Sequence, residues 1–325
     1  MNIVFVCTNC QWGHAFMRGY QISDELRSIG LNSRVLSEQE LLNEIINCSL
    51  SKDTLVVLLR ETVGNIDIYQ SIKEYGCKVV LDFIDFGEPL SIGANYPLRY
   101  NMGGYSVDGF IFPNKSYHFD YAPFCGSAAT TCIYHHIDPR LESHSKDDEF
   151  AIYAVGSYHP HVIQNSLVTT GYFEKSNTYT TDEVFCFSKE EMGQDYKNYN
   201  CMVATRGQCN ENPNNLDGYT FDNEVLARYK SNVRLSVSVG TRQVIILGKE
   251  DAYEELLGEE YPYWIKGERP NCHNSREIKS AIDFAKNTYK EKEWEIAKDM
   301  LASLESRLCI NNIAKEYIKF FKQVL

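Results

Sequence analysis

Two basic side chains, an amide and several carboxylates fall in one short stretch of the chain. Lys230, Asn232 and Arg234 open it, Gly240 follows, and an apolar run, Val244–Leu247, leads into a polar loop with Glu250, Tyr253 and Glu255. Lysine and arginine at a helix start lie beside backbone N–H groups that the helix itself cannot use, and this pairing suits a diphosphate. Carboxylates in the loop after a strand can accept bonds from ribose or sugar hydroxyls. The alternative is a surface helix with incidental charges. The order of glycine, strand and acidic loop favours a binding site.

A second set of candidates follows the first strand. Cys-Gln-Trp-Gly-His-Ala-Phe-Met-Arg-Gly-Tyr places Gly13 and His14 at the carboxyl end of that strand, where ligands of doubly wound sheets bind. An imidazole titrates near neutral pH, so His14 can act as a general base toward an acceptor hydroxyl, or it can simply cap the next helix. Asp82 and Asp85, in Leu-Asp-Phe-Ile-Asp-Phe, end the fourth strand; one of them is expected to point into a cleft, and both can equally cap a loop. His135 and His136 are adjacent, so on a strand they point to opposite faces. They read as hinge residues ahead of Asp138 and not as a metal pair. Cys7 and Cys10 form C-x-x-C, but no second pair has the spacing of a zinc site. Neither a metal nor a cofactor is expected. G-x-G-x-x-G is missing, which counts against a nicotinamide enzyme.

These residues need elements that bring strand ends to one edge. The first half alternates: a strand at Ile3–Thr8, a helix through Ile22, Leu26 and Ile29 stopped by Gly30, and strands at Ser33–Leu36, Thr54–Leu59, Lys78–Phe83, Val107–Phe112 and Thr131–His135. Continuous apolar runs such as Thr54–Leu59 suit strands covered on both faces, hence a mostly parallel sheet. The charged stretch from Pro139 to Asp148 reads as a linker. Strands at Phe150–Val155, Val184–Phe187, Cys201–Ala204, Val244–Leu247 and Tyr263–Ile265 repeat the alternation. A helix starts at Ser275, and Glu291–Leu325 is one long helical stretch. The expected division is 1–140, then 149–295, with 296–325 returning to the first domain.

The chain has 325 residues, 43% hydrophobic and 23% charged, so two folded domains are affordable. A net charge of -12 argues against nucleic acid, whose phosphates need a basic face. No apolar run reaches the length of a membrane span. The lysines of the final helical stretch, Lys286 to Lys322, read first as a solvated face and second as a patch for peripheral membrane contact. The N-terminal apolar stretch is too short for a secretory leader. Eleven cysteines without one read as reduced thiols and imply a cytoplasmic location.

The stretch from Lys230 to Glu255 resembles the donor-binding region of GT-B glycosyltransferases. One group of these carries K-x-N-x-[RK]-L, a small-residue helix ending in glycine, an apolar strand, and E-x-A-Y-x-E. Here those are Lys230, Asn232, Arg234 and Leu235, then Gly240, then Glu250, Ala252, Tyr253 and Glu255. Arg206, in Val-Ala-Thr-Arg-Gly, is similar to an arginine that ends the preceding strand in that group. Ile133-Tyr-His-His-Ile-Asp-Pro resembles the segment closing their first domain, Gly13-His14 their first loop, and the helical tail the segment that crosses back. The E-x7-E pair of many retaining members is missing, with Leu235 at its second position, so the stereochemical outcome is open. Arg242 and Gln243 stand where a proline usually follows the helix.

The resemblance implies two Rossmann-like domains facing across a cleft, with a C-terminal helix crossing back to the first. It implies transfer of a sugar from a nucleoside diphosphate sugar to a hydroxyl of a glycan or other acceptor, in surface glycan synthesis by default, without a bound metal. Arg206, Lys230, Asn232 and Arg234 would serve the diphosphate. Glu250, Tyr253 and Glu255 would contact sugar or ribose, and His14 or Asp85 would take the acceptor proton. A nucleotide-sugar epimerase of the same fold, which needs no acceptor, and a non-catalytic nucleotide-sugar binding protein are the rival readings.

Overall fold

The computed structural model describes residues 1–7, 15–59, 66–84, 107–141, 143, 149–154, 199–204, 228–266 and 275–325. The chain divides into two compact units. The first comprises Met1–His136, Tyr229–Ser231 and Leu308–Leu325; the second comprises Ile137–Arg228 and Asn232–Arg307.

The first unit is built on six parallel strands: β1 (Asn2–Cys7), β2 (Asn32–Ser37), β3 (Thr54–Leu59), β4 (Lys78–Asp82), β5 (Gly109–Phe112) and β6 (Ala129–Cys132). Their order is β2-β1-β3-β4-β5-β6, and every pairing is parallel. Between them run a π-helical segment (Ala15–Gln21), α1 (Ile22–Ser28), α2 (Glu38–Ile46), α3 (Ile66–Tyr75), α4 (Lys115–Tyr121) and a short 3-10 turn (Ala122–Phe124).

Apolar runs become central strands because both faces are covered, and the two faces alternate along each strand. Val4, Val6, Val56, Leu58, Val79, Leu81, Phe110 and Phe112 pack one way, against Leu41, Ile68, Tyr69, Ile72, Tyr117 and Tyr121 of α2, α3 and α4. Ile3, Phe5, Leu55, Val57, Val80 and Ile111 pack the other way, against Ile22 and Leu26 of α1 and a cluster of residues from 313 to 324. Local signals set the ends. Ser37 opens α2 with a capping box: its hydroxyl accepts from the Glu40 N–H and the Glu40 carboxylate accepts from the Ser37 N–H. Those bonds to Ser37 hold the Glu40 carboxyl below the ordinary range.

The second unit contains a parallel sheet of β7 (Ile152–Ala154), β8 (Cys201–Ala204) and β9 (Val244–Leu247), in that order. α5 (Val233–Thr241) precedes β9 and α6 (Asp251–Leu257) follows it; α7 (Ser275–Asn287) and α8 (Lys292–Leu308) come next. The strand expected at Tyr263–Ile265 is a single parallel bridge, Leu247 with Trp264. The strand expected at Val184–Phe187 and most of the linker expected at 139–148 lie outside the described residues.

The long helix expected over Glu291–Leu325 is two. Cys309 takes an extended backbone (φ −63, ψ 144) and separates α8 from α9 (Ile310–Val324). α9 supplies Ile313, Ala314, Tyr317, Phe320, Phe321 and Val324 to the core of the first unit. Gly109 permits its close approach: a Cβ there would lie 2.8 Å from Phe320 Cζ and 2.9 Å from Val324 Cγ2. Among the described residues no helix is long and apolar enough to cross a membrane.

Candidate functional site

In the second unit the start of α5 carries two of the residues singled out by sequence. Asn232 is the N-cap residue and is fully buried, yet its side chain does not cap the helix. Its amide donates to Ser236 Oγ at 2.8 Å, one turn on, while its carbonyl accepts from the Ser236 N–H at 2.9 Å. Arg234 follows in the first turn and is 7% exposed. A helix start concentrates partial positive charge from its N–H groups, and Arg234 adds a full charge beside it.

The far end of α5 differs from the expected glycine stop. The helix continues through Thr241, and Arg242 takes the left-handed cap conformation (φ 57, ψ 34). Gly240 serves packing instead: a Cβ there would meet Ile137 Cγ2 at 2.6 Å and Leu141 Cδ1 at 3.1 Å. β9 is fully buried and ends at Leu247, and Glu250, three residues on, is the residue before α6. Glu250 is 3% exposed, and its carbonyl accepts from the N–H groups of Tyr253 and Glu254. Tyr253 is buried within α6 and Glu255 is partly exposed. Asn232, Arg234, Glu250, Tyr253 and Glu255 are thus grouped in one unit. Lys230 falls within the three-residue portion of the first unit, Tyr229–Ser231. His14, Asp85 and Arg206 lie outside the described residues.

In the first unit Asp82 is not an open carboxylate. Arg18 Nη2 donates to its Oδ1 at 2.8 Å and Tyr317 Oη to its Oδ2 at 2.6 Å. Arg18 Nη1 donates to the carbonyls of Ile133 and Tyr134, at 3.0 Å each, and the guanidinium carbon lies 5.4 Å from the Tyr317 ring centre. Burial disfavours the charge on Arg18, but Asp82, together with Tyr317 and Cys132, outweighs it and holds the pKa above the ordinary value. Burial, with Asp82 adding to it, pushes the Tyr317 phenol well up. Arg18 and Asp82 form a buried ion pair, with the Tyr317 phenol as second donor to the carboxylate. It joins the π-helical segment, the end of β4, the chain leaving β6, and α9. His135 and His136 are fully buried in that exit segment, and His136 Nε2 lies 2.7 Å from Gln21 Oε1.

Sequence reasoning missed Arg18, Tyr317 and Asn114. One signal was available for Arg18: a lone arginine in Ala-Phe-Met-Arg-Gly-Tyr, where a surface helix would show more polar residues. Asn114 had none. It is fully buried, its Oδ1 accepting from the Tyr117 N–H at 2.7 Å as the cap of α4 and its Nδ2 donating to the Lys230 carbonyl at 2.9 Å. Beside it the Tyr229 ring packs on Tyr117 at 4.7 Å and Tyr121 at 5.5 Å, and its hydroxyl donates to Asp120 Oδ2 at 2.9 Å.

No protein-family model and no curated protein matches the chain by sequence. Solved structures match it in fold. An alpha,alpha-trehalose-phosphate synthase (UDP-forming) from Burkholderia vietnamiensis gives a TM-score of 0.62 at 8% identity, over 99% of this chain and 100% of that one. A trehalose-6-phosphate structure from E. coli bound with UDP-2-fluoro glucose gives 0.62 at 10% identity over 100% of both chains. S. aureus TarM, in complex with fondaparinux, alpha-GlcNAc-glycerol and UDP, gives 0.56 at 7% identity, over 86% of this chain and 58% of that one. Identities this low carry the fold alone. The fold is mixed α/β of the GT-B type.

Proposed function

We infer that the protein is a glycosyltransferase that takes a hexose-type sugar from a nucleoside diphosphate donor and passes it to an acceptor hydroxyl. The observation that carries this reading is the start of α5. A buried arginine sits in the first turn of a helix whose N-cap side chain turns away to Ser236. Both the helix end and the guanidinium attract an anion, and a diphosphate offers one. The full-length likeness in fold to UDP-forming and UDP-sugar-bound proteins supports the same class and makes UDP the first nucleotide to test.

In this reading Lys230 and residues of the second unit bind the donor, and residues of the first unit bind the acceptor. As the glycosidic bond to the leaving phosphate breaks, charge grows on the diphosphate. Arg206, Lys230 and Arg234, with the α5 N–H groups, meet that charge, and the mechanism invokes no metal ion. Asn232 braces the helix start through Ser236. Glu250, Tyr253 and Glu255 contact the sugar or the ribose. His14 or Asp85 accepts the proton of the attacking hydroxyl. The acceptor is a glycan or another hydroxyl compound, placed in surface glycan synthesis on the cytoplasmic side, with the tail lysines available for peripheral membrane contact.

The test is a panel of nucleotide sugars and nucleoside diphosphates scored by thermal stabilisation, followed by product analysis. A ligand that binds only the folded state raises the melting temperature by mass action. A donor that stabilises and releases its diphosphate only when an acceptor is present supports transfer. An isomerised donor without acceptor makes the protein an epimerase. Binding with no diphosphate released from any donor makes it a binding protein.

A further inference from the structure

We propose that Asn114 is a positioning residue for Lys230, and that α4 thereby controls how the leaving diphosphate is held. The inference rests on the donor-binding reading of Lys230 given above. Tyr229, Lys230 and Ser231 are flanked in the chain by residues of the second unit but belong to the first. Two sets of contacts from α4 hold them there.

The first set is polar. Asn114 has one acceptor oxygen and one amide nitrogen, and both are in use. The oxygen takes the Tyr117 N–H at 2.7 Å, which leaves the NH₂ facing the Lys230 carbonyl at 2.9 Å. The cap thus fixes the orientation of the amide, and the amide fixes the backbone of Lys230. With full burial there is no water to replace the bond if it is lost. The second set is aromatic: the Tyr229 ring packs tilted on Tyr117 and edge-on against Tyr121, residues of the same helix that Asn114 caps, and its hydroxyl donates to Asp120. A flexible lysine bound to a diphosphate as a point charge gains from a fixed backbone, because less freedom is lost on binding.

Asn114→Asp separates the two functions of this side chain. Aspartate caps a helix as well as asparagine does, so α4 is kept, but it has no N–H to give to the Lys230 carbonyl. The experiment is calorimetric titration of the full chain with UDP, on wild type, Asn114→Asp, Lys230→Ala and the double variant. Asn114→Asp is expected to weaken UDP binding by about threefold to tenfold, the size of one neutral hydrogen bond. In the Lys230→Ala background the same substitution should change nothing, because the residue it acts through is gone.

An equal loss from Asn114→Asp with and without Lys230 would make Asn114 a purely structural cap and overturn the proposal. So would wild-type affinity in Asn114→Asp alongside weak binding in Lys230→Ala. Wild-type affinity in Lys230→Ala itself overturns the donor role of Lys230, and the proposal with it. If Asn114→Asp does not fold, Tyr229→Phe takes its place: it keeps the ring contacts and removes the hydroxyl that bonds Asp120, and its effect on UDP must likewise vanish without Lys230.

Discussion

Arg18 and Arg234 are both buried, one in each unit, at 0% and 7% exposure. Arg18 faces Asp82, two backbone carbonyls and the Tyr317 ring, all from the same unit. Arg234 stands in the first turn of α5, where the helix already offers positive potential. A cation neutralised by a carboxylate of its own fold has little left to offer a ligand. Arg234 adds its charge at a helix end that is already positive, which is the setting the proposed donor site draws on. On this contrast the Arg18 cluster serves the fold of the first unit, while the proposed donor site draws on the α5 start.

The contrast separates chemistry from stability, and the largest effect expected is on chemistry at neither arginine. If His14 is the base, His14→Ala lowers turnover by about 10²–10⁴-fold with donor affinity nearly intact. Steady-state kinetics and UDP titration on one preparation check it. An active His14→Ala beside an inactive Asp85→Asn transfers the role to Asp85.

Arg18→Met comes next and strikes stability. It strands the Asp82 carboxylate, and breaking a buried pair costs about 3–5 kcal/mol. Urea unfolding should show that loss while the folded fraction binds UDP as wild type does. A loss of UDP affinity in that fraction would erase the contrast. Arg234→Ala is the reverse case. A charge-assisted bond to phosphate is worth about 1.5–3 kcal/mol, so UDP affinity should fall by about tenfold or more. Its urea midpoint should move less than that of Arg18→Met. Unchanged affinity in calorimetry would put the diphosphate elsewhere.

The smallest effect concerns a third charge cluster. Lys73 and Lys78 each reach Asp108 at 2.8 Å, and the Val79 N–H donates to it at 2.8 Å. Burial pushes the Asp108 carboxyl up, but these bonds outweigh it and leave the pKa below the ordinary 3.8. A carboxylate with a depressed folded pKa stabilises fully above its unfolded value, about 3.9. That contribution fades as pH falls through the lower folded value. Asp108→Asn should therefore lower stability at neutral pH and flatten the acid limb of a melting-temperature profile. An acid limb as steep as that of wild type would assign it to other carboxylates.

Much of the first sheet was legible because its strands are apolar runs with nothing ambiguous inside them. Thr54–Leu59 is the plainest case: read as a strand covered on both faces, it is one. The break between α8 and α9 was not legible. Apolar spacing runs on through Leu304, Leu308 and Ile313, and nothing in Arg-Leu-Cys-Ile announces an extended Cys309. Gly240 looked like a helix stop because glycine usually accepts positive φ most cheaply. Here that conformation falls to Arg242, while Gly240 is small so that Ile137 can approach. The Asp82 cluster was hidden for a different reason: its partners lie 64 and 235 residues away in sequence. Local pattern carries no trace of such pairs. Of the candidate site, the grouping from Asn232 to Glu255 could be read because strand and helices follow one another directly there.

α9 has a consequence for the order in which the molecule is made. Among the described residues, six of the nine buried helical side chains that cover one face of the first sheet come from residues 313–324. A ribosome produces all of the second unit before it reaches them. Strands β1 to β6 therefore emerge early but must wait with that face open, through the synthesis of more than half the chain. Domains usually finish in the order they are translated. Here the unit that starts first closes last, and the interval is when a chaperone would have apolar surface to hold.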